Sequence, residues 1–119
     1  MTITVEVPWP PRDCHPNARV HWSKRARATK IARTDAAWWA QAAGAKALRK
    51  AKALNVCLTF FPPDNRRRDV DGMLSNSKPL IDGIADVVGV DDSLWTISMK
   101  RGEPREFGAV RFDIEEAQL

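Results

Sequence analysis

Residues 54–61, "LNVCLTFF", are largely apolar on both alternating faces: Val56, Leu58 and Phe60 on one side, Cys57, Thr59 and Phe61 on the other. A strand with so little polar surface on either side belongs in the interior of a sheet, with a neighbour along each edge. Three other segments qualify as neighbours. Residues 2–7, "TITVEV", alternate strictly, with Ile3, Val5 and Val7 opposing Thr2, Thr4 and Glu6. In "LWTISMK", Trp95, Ile97 and Met99 alternate inward, and in "AVRFDIE" Val110, Phe112 and Ile114 do the same. Between these last two, "RGEPREFG" supplies the glycines and proline of a hairpin connection.

Two helices fill the intervals. An alanine-rich stretch predicts a helix from Thr29 to Lys52, with Ile31, Trp38, Ala42, Ala45 and Leu48 as its apolar stripe and Gly44 as a weak spot. Trp38 and Trp39 are expected in the core or at a dimer interface, and Trp95 within the sheet. A second helix is predicted over Asp71 to Val88, burying Leu74, Ile81, Ile84, Ala85 and Val88. Pro79 has no N–H for the carbonyl of Ser75, so this helix must kink or restart there. Four prolines among residues 8–17 break the chain after the first strand, and Asn17 reads as a turn residue. The order β-α-β-α-β-β gives an α+β fold, a mixed sheet packed against two helices, in a single domain over residues 1–119.

Composition narrows the function. At 119 residues, 44% apolar and 29% charged, the chain is neither disordered nor membrane-like, and its core is small enough to make dimerisation plausible. No apolar run approaches the roughly 18 residues of a membrane span, and "MTITVEVPWPP" lacks the pattern of a signal peptide, so an intracellular protein is expected. Cys14 and Cys57 lack metal-ligand spacing and read as structural, and His15 and His21 likewise lack it. The net charge of +4, from 19 Lys and Arg against 15 Asp and Glu, leans mildly toward anionic partners.

The distribution of that charge says more. "DNRRRDVDG" at 64–72 runs three arginines into two aspartates. In an extended segment Asp69 and Asp71 project to the same side, roughly 7 Å apart between Cα atoms, where their oxygens can converge on a hard cation such as Mg²⁺. The plainer reading is an N-cap at Asp71. On one helix Asp71, Ser75, Lys78 and Asp82 would share a narrow stripe, in which Lys78 either pairs with Asp82 or offsets charge on a phosphate. "VDDS" at 90–93 brings two more carboxylates, Asp91 and Asp92, or is a hydrophilic turn. Arg66, Arg67 and Arg68 would grip the phosphates that such carboxylates repel. Lys24, Arg25, Arg27 and Lys30, before and at the first helix, form a second basic surface or a solvated helix start, with Trp22 placed to stack on an opened base.

"PWPP", "NRRRDVDG", "KPLIDGI" and "VDDS", in this order, resemble the RusA family of Holliday-junction resolvases, from about residue 7 to residue 100. The resemblance implies an Mg²⁺-dependent endonuclease, with Mn²⁺ as a substitute, acting as a homodimer on four-way junction DNA in a bacterial cytoplasm, whether host- or phage-encoded. It assigns metal binding to Asp69, Asp71 and Asp92, with Asp91 as the alternative within the doublet, and catalysis to these aspartates and Lys78. DNA contacts would come from Arg66, Arg67, Arg68, Lys24, Arg25, Arg27 and Trp22. In the best-known members the lysine follows the second aspartate by four residues; here it follows by seven, and the added "SNS" at 75–77 would move it about 4.5 Å along one continuous helix. Gly72 stands where the family often has asparagine. A DNA-binding module without catalysis and a nuclease for other branched DNA are the competing readings. A nucleotide-sugar transferase is set aside for want of a Gly-rich loop and a parallel nucleotide-binding fold.

Overall fold

The computed structural model describes residues 1–15 and 18–118; Pro16, Asn17 and Leu119 lie outside them, and with Asn17 the expected turn residue. Four strands, β1 (Thr2–Pro8), β2 (Leu54–Phe61), β3 (Trp95–Arg101) and β4 (Ala109–Glu116), form one mixed sheet in the order β1-β4-β2-β3. The interior position expected for residues 54–61 holds. β2 bonds antiparallel to β4 along one edge and parallel to β3 along the other, while β1 closes the far side of β4. In this register Val5, Phe112, Leu58 and Met99 lie in one row across the sheet, and Val7, Val110, Phe60 and Arg101 in the next. The inward residues of β1, β2 and β4 build the core with the helices, and Phe60, Phe112, Leu54, Leu58 and Ile114 are among its largest fully buried side chains. The opposite face carries Thr4, Asp113, Asn55, Thr96 and Ser98, and Thr4 donates to Asp113 at 2.7 Å.

The expected terminal hairpin does not form, because β2 lies between β3 and β4. Residues 102–108 instead cross the end of β2. The N–H of Gly102 donates to the carbonyl of Phe60 at 2.8 Å, and that of Arg105 to Pro62 at 2.9 Å. Glycine and proline report only that the chain turns; a seven-residue connection can span the two strand spacings, roughly 9.5 Å, that the crossing requires. The Arg105 guanidinium lies 3.6 Å from the centroid of Phe61 and covers that end of β2. Within the same connection the exposed Phe107 adopts φ 66°, a left-handed conformation that is strained for a bulky residue. β3 is thereby an edge strand, and Met99, expected inward, is exposed.

The first helix also departs from expectation. α1 runs from Trp22 to Ala42, earlier than the 29–52 reading, so Lys24, Arg25, Arg27 and Lys30 belong to the helix rather than to its approach. Gly44, at φ 81°, ends it in the left-handed conformation that glycine adopts without cost, and Ala45–Leu48 form a separate short turn. Its buried stripe is Ala32, Ala36 and Ala40, not the larger side chains: Ile31 is 52% and Trp38 61% exposed, and Trp39 is exposed as well. The reason lies in the partner helix, α3 (Lys78–Val88). A Cβ on Gly83 would fall on the carbonyl oxygen of Arg33 and within 3.0 Å of the Ala36 Cβ. Backbones this close admit only small residues between them, so the tryptophans turn outward. Arg33 clamps the pair from outside with a two-pronged bond to Asp86, both distances 2.8 Å.

The helix predicted over 71–88 is two helices, α2 (Val70–Asn76) and α3, with Ser77 outside both. Pro79 sits in the first turn of α3, where its missing N–H leaves no bond unmade. The break falls within the "SNS" segment, so Lys78 starts a new helix instead of moving along one continuous helix. The stripe of Asp71, Ser75, Lys78 and Asp82 is therefore divided, with Asp71 and Ser75 on α2 and Lys78 and Asp82 on α3. Leu80, Ile81, Ile84, Val87 and Val88 bury the inner side of α3. Gly83→Ala should destabilise the protein by about 1–3 kcal/mol, as overpacking does, read as a lower midpoint in urea denaturation. An unchanged midpoint would mean the two helices separate freely.

Candidate functional site

The chain leaving β2 is shaped by Asp64. Its carboxylate accepts the Arg66 N–H at 2.9 Å, a local turn that aspartate favours, and the Arg68 guanidinium at 2.9 Å. Arg68 also lies 5.6 Å from the centre of the Trp9 indole, and its carbonyl accepts from Arg101 at 2.9 Å. The three arginines are thus not equivalent. Arg68, with a side chain 22% exposed, holds the loop to β3 and to the segment after β1, whereas Arg66, at 82%, and the exposed Arg67 reach solvent. Hydrogen bonding to Arg68, then to the Arg66 N–H, lowers the pKa of Asp64 below its ordinary value of 3.8.

Asp69 and Asp71 follow at the start of α2. Asp69, not Asp71, occupies the N-cap position; its carbonyl accepts from Met73, but its carboxylate makes no capping bond. Asp71 lies in the first turn, and both carboxylates are exposed. Gly72 faces back toward the first loop, where a Cβ would meet His15 Nε2 at 3.5 Å.

One turn further on, two distant segments meet. Lys78 Nζ lies 3.0 Å from Asp82 Oδ1, the i,i+4 pair anticipated from the sequence, and also donates to Asp92. Asp92 opens the short turn Asp92–Leu94 that leads into β3. Its neighbour Asp91 is used locally, accepting the Ser93 N–H at 3.0 Å. Of the acidic doublet, Asp92 is therefore the one that faces Lys78. The hydrogen bond to Asp92, followed by that to Asp82, raises the Lys78 pKa and keeps it cationic at neutral pH. Bonds from the Ser93 hydroxyl and backbone, with a smaller contribution from Lys78, lower the pKa of Asp91.

Among the described residues, no group of three or more histidines, cysteines, aspartates and glutamates stands close enough together to hold a metal ion. Asp69, Asp71 and Asp92 are not gathered into a ready-made cage, and a lysine occupies the position between Asp82 and Asp92.

The other basic residues lie on the first turns of α1. His21 caps the helix by accepting the Ser23 N–H, and its ring sits 5.5 Å from that of Trp22, which is exposed. Lys24 reaches Asp13 at 3.7 Å, Arg25 donates to the Ala18 carbonyl, and Arg27 is exposed. Cys14 is buried; desolvation raises its pKa, so it behaves as a structural thiol. Between the segment after β1 and the Asp64 loop lies an open cleft of about 870 Å³, lined by Trp9, Arg12, Arg19, Arg66 and Arg68 and reaching Asn76. Sequence patterns single out neither Arg12, Arg19 nor Asn76, and place Trp9 only within "PWPP"; the fold brings Asn76 to the cleft that the other three, from one segment, also line.

No family model matches the chain. A protein of Xylella fastidiosa strain Temecula1, described as uncharacterized, is 43% identical over 91 residues, which cover 75% of this chain and 60% of that protein. The chain thus spans about 60% of the length of this bacterial relative. Among the described residues no helix is long and apolar enough to cross a membrane.

Because its folded pKa is lowered, Asp64 adds stability that is complete above its ordinary value of 3.8 and is lost as pH falls through the lower folded value. Asp64→Asn should therefore lower the thermal midpoint at about pH 7 and lower it by less at a pH well below 3.8, where proton uptake by the wild-type carboxylate cancels its contribution. An equal deficit at both pH values would assign the loss to packing instead.

Proposed function

We propose that the protein is a divalent-metal-dependent, structure-specific endodeoxyribonuclease of the RusA type, cutting four-way junction DNA by paired phosphodiester hydrolysis as a homodimer in the bacterial cytoplasm. The observation that carries this reading is the meeting of Lys78 with Asp92, two residues from distant segments that the resemblance assigns to one site. The exposed arginines of the preceding loop and the basic start of α1 add the means to hold a polyanion.

The donor chemistry suits Mg²⁺. Asp69, Asp71 and Asp92 offer only carboxylate oxygens, the ligand type that a hard cation selects, and the first two are exposed. When bound, the metal would supply an activated water and bracing of the leaving oxygen. The chain's own part is electrostatic and positional. Lys78, held cationic by its two carboxylate partners, offsets charge that accumulates on a phosphate beside it. Asp82 keeps the ammonium on this side of α3 when Asp92 turns to other ligands. Arg66 and Arg67, exposed to solvent, draw the DNA backbone toward carboxylates that would otherwise repel it. A twofold-symmetric junction needs two cuts, which two copies of the chain would make.

Asp69→Asn and Asp92→Asn should each abolish Mg²⁺-dependent cleavage of a synthetic four-way junction while leaving junction binding nearly unchanged. Lys78→Met should slow cleavage by about 10²–10³-fold, the range for removing a charge-stabilising donor. Undiminished cleavage by Asp69→Asn would end the assignment. Wild-type binding without cleavage in Mg²⁺ or Mn²⁺ would favour the non-catalytic DNA-binding reading, and equal cleavage of flaps and forks the broader branched-DNA nuclease. If about six phosphates are contacted, log K should fall against log salt with a slope of about −5.

A further inference from the structure

We propose that the cleft between the segment after β1 and the Asp64 loop is a nucleotide-binding subsite, separate from the Lys78–Asp92 cluster, that takes one unstacked nucleotide of a DNA strand and reads its base through Asn76. The inference rests on the reading of DNA as the partner. None of the residues lining the cleft is an assigned metal ligand or Lys78.

Asn76 carries the argument. It ends α2, is only 7% exposed, and lines the cleft. Its Oδ1 is buried and has no hydrogen-bond partner among the described residues. A buried acceptor left unpaired is costly, and folded proteins rarely keep one unless something else supplies the donor. Every DNA base carries N–H groups on its pairing edge once it leaves the duplex, so any of them can supply it. A side-chain amide can also reverse its ends and present a donor to a different base, which makes asparagine a reader of base identity and not of phosphate alone.

The remaining walls match the other parts of a nucleotide. The half-buried Trp9 indole presents an aromatic side, steadied by the Arg68 guanidinium and by an edge contact with Phe60 at 6.3 Å between ring centres. Arg12 and Arg19 are exposed at the rim and, among the described residues, have no ion-pair partner. They can follow the phosphates on either side of a base held within. At about 870 Å³ the cleft lies within the size range of small-molecule sites. An inorganic anion would satisfy the arginines and leave Asn76 unpaired. A nucleotide satisfies both.

The test uses fluorescein-labelled twelve-residue oligo(dA), oligo(dC) and oligo(dT), titrated by anisotropy with the whole protein in EDTA, so that no cleavage occurs. Wild-type protein should bind the three with affinities spread by at least about fivefold. Asn76→Ala should reduce the spread to less than about twofold. The Arg12→Ala/Arg19→Ala double variant, changed only at exposed positions, should weaken all three by about tenfold and keep their order. The inference is overturned by equal wild-type affinities, by an unaltered spread in a folded Asn76→Ala, or by an arginine variant that binds like wild type. Should Asn76→Ala not fold, the near-isosteric Asn76→Asp replaces it: a buried carboxylate must reorder the three affinities, and an unaltered order is an equally adverse result. Four-way junction cleavage in Mg²⁺, measured in parallel, separates the two claims. Cleavage without oligonucleotide discrimination removes only the subsite, and discrimination without cleavage removes only the nuclease.

Discussion

The double-edged pairing of β2 is the constraint on which the molecule depends. Because this strand bonds to β3 in parallel, the chain between β2 and β3 has to leave one end of the sheet and return at the opposite end, while the antiparallel β4 fills the other edge. A parallel return needs a long crossover, and α2 and α3 form it. The acidic start of α2 and the acidic turn before β3 are the two ends of that crossover, with Lys78 between them at the start of α3. The meeting of Lys78 and Asp92 is thus a product of topology, since the crossover that a parallel β3 requires carries both residues.

Charge at this site is arranged by local bonds more than by burial. Asp64, Asp91 and Asp92 are each engaged by a nearby donor, and to different ends. Asp64 shapes the arginine loop, Asp91 caps a turn, and Asp92 holds a lysine. Asp69 and Asp71 remain exposed. The result is a set of carboxylates with unequal freedom. Two can turn toward a ligand at little cost, while Asp92 must first release an ammonium group.

The strands were legible in the sequence because period-two alternation is decided by the chain itself, and residues 54–61 needed only their own side chains to declare an interior position. Pairing order was not legible. A glycine-rich connection looks the same whether it returns beside its own strand or passes over a neighbour, and only the competing claim of β4 on β2 decides. The helix faces failed for a different reason. Large apolar residues are expected to mark the core, but the space between α1 and α3 is set by Gly83 and Ala36, and it excludes tryptophan. In the site, the pairing of Lys78 with Asp82 followed from helical spacing, whereas the resemblance set Asp92 beside Asp69 and Asp71 and did not anticipate its contact with Lys78. Asn76 gave no signal, since whether its amide oxygen finds a partner is decided by the packing around it and not by its neighbours in sequence.

The placement of β4 has a consequence for how the chain acquires its shape. β1 is bonded only to β4, so Thr2 waits for Glu115 and Pro8 for Ala109. During synthesis β1 emerges well before its partner, and until β4 follows its apolar side has no sheet to join. Contacts so remote along the chain close slowly. β1 stays unpaired until β4 has been made, and the proline-rich break after β1, which prevents that segment from extending into a longer sticky ribbon, gains a kinetic role in solubility.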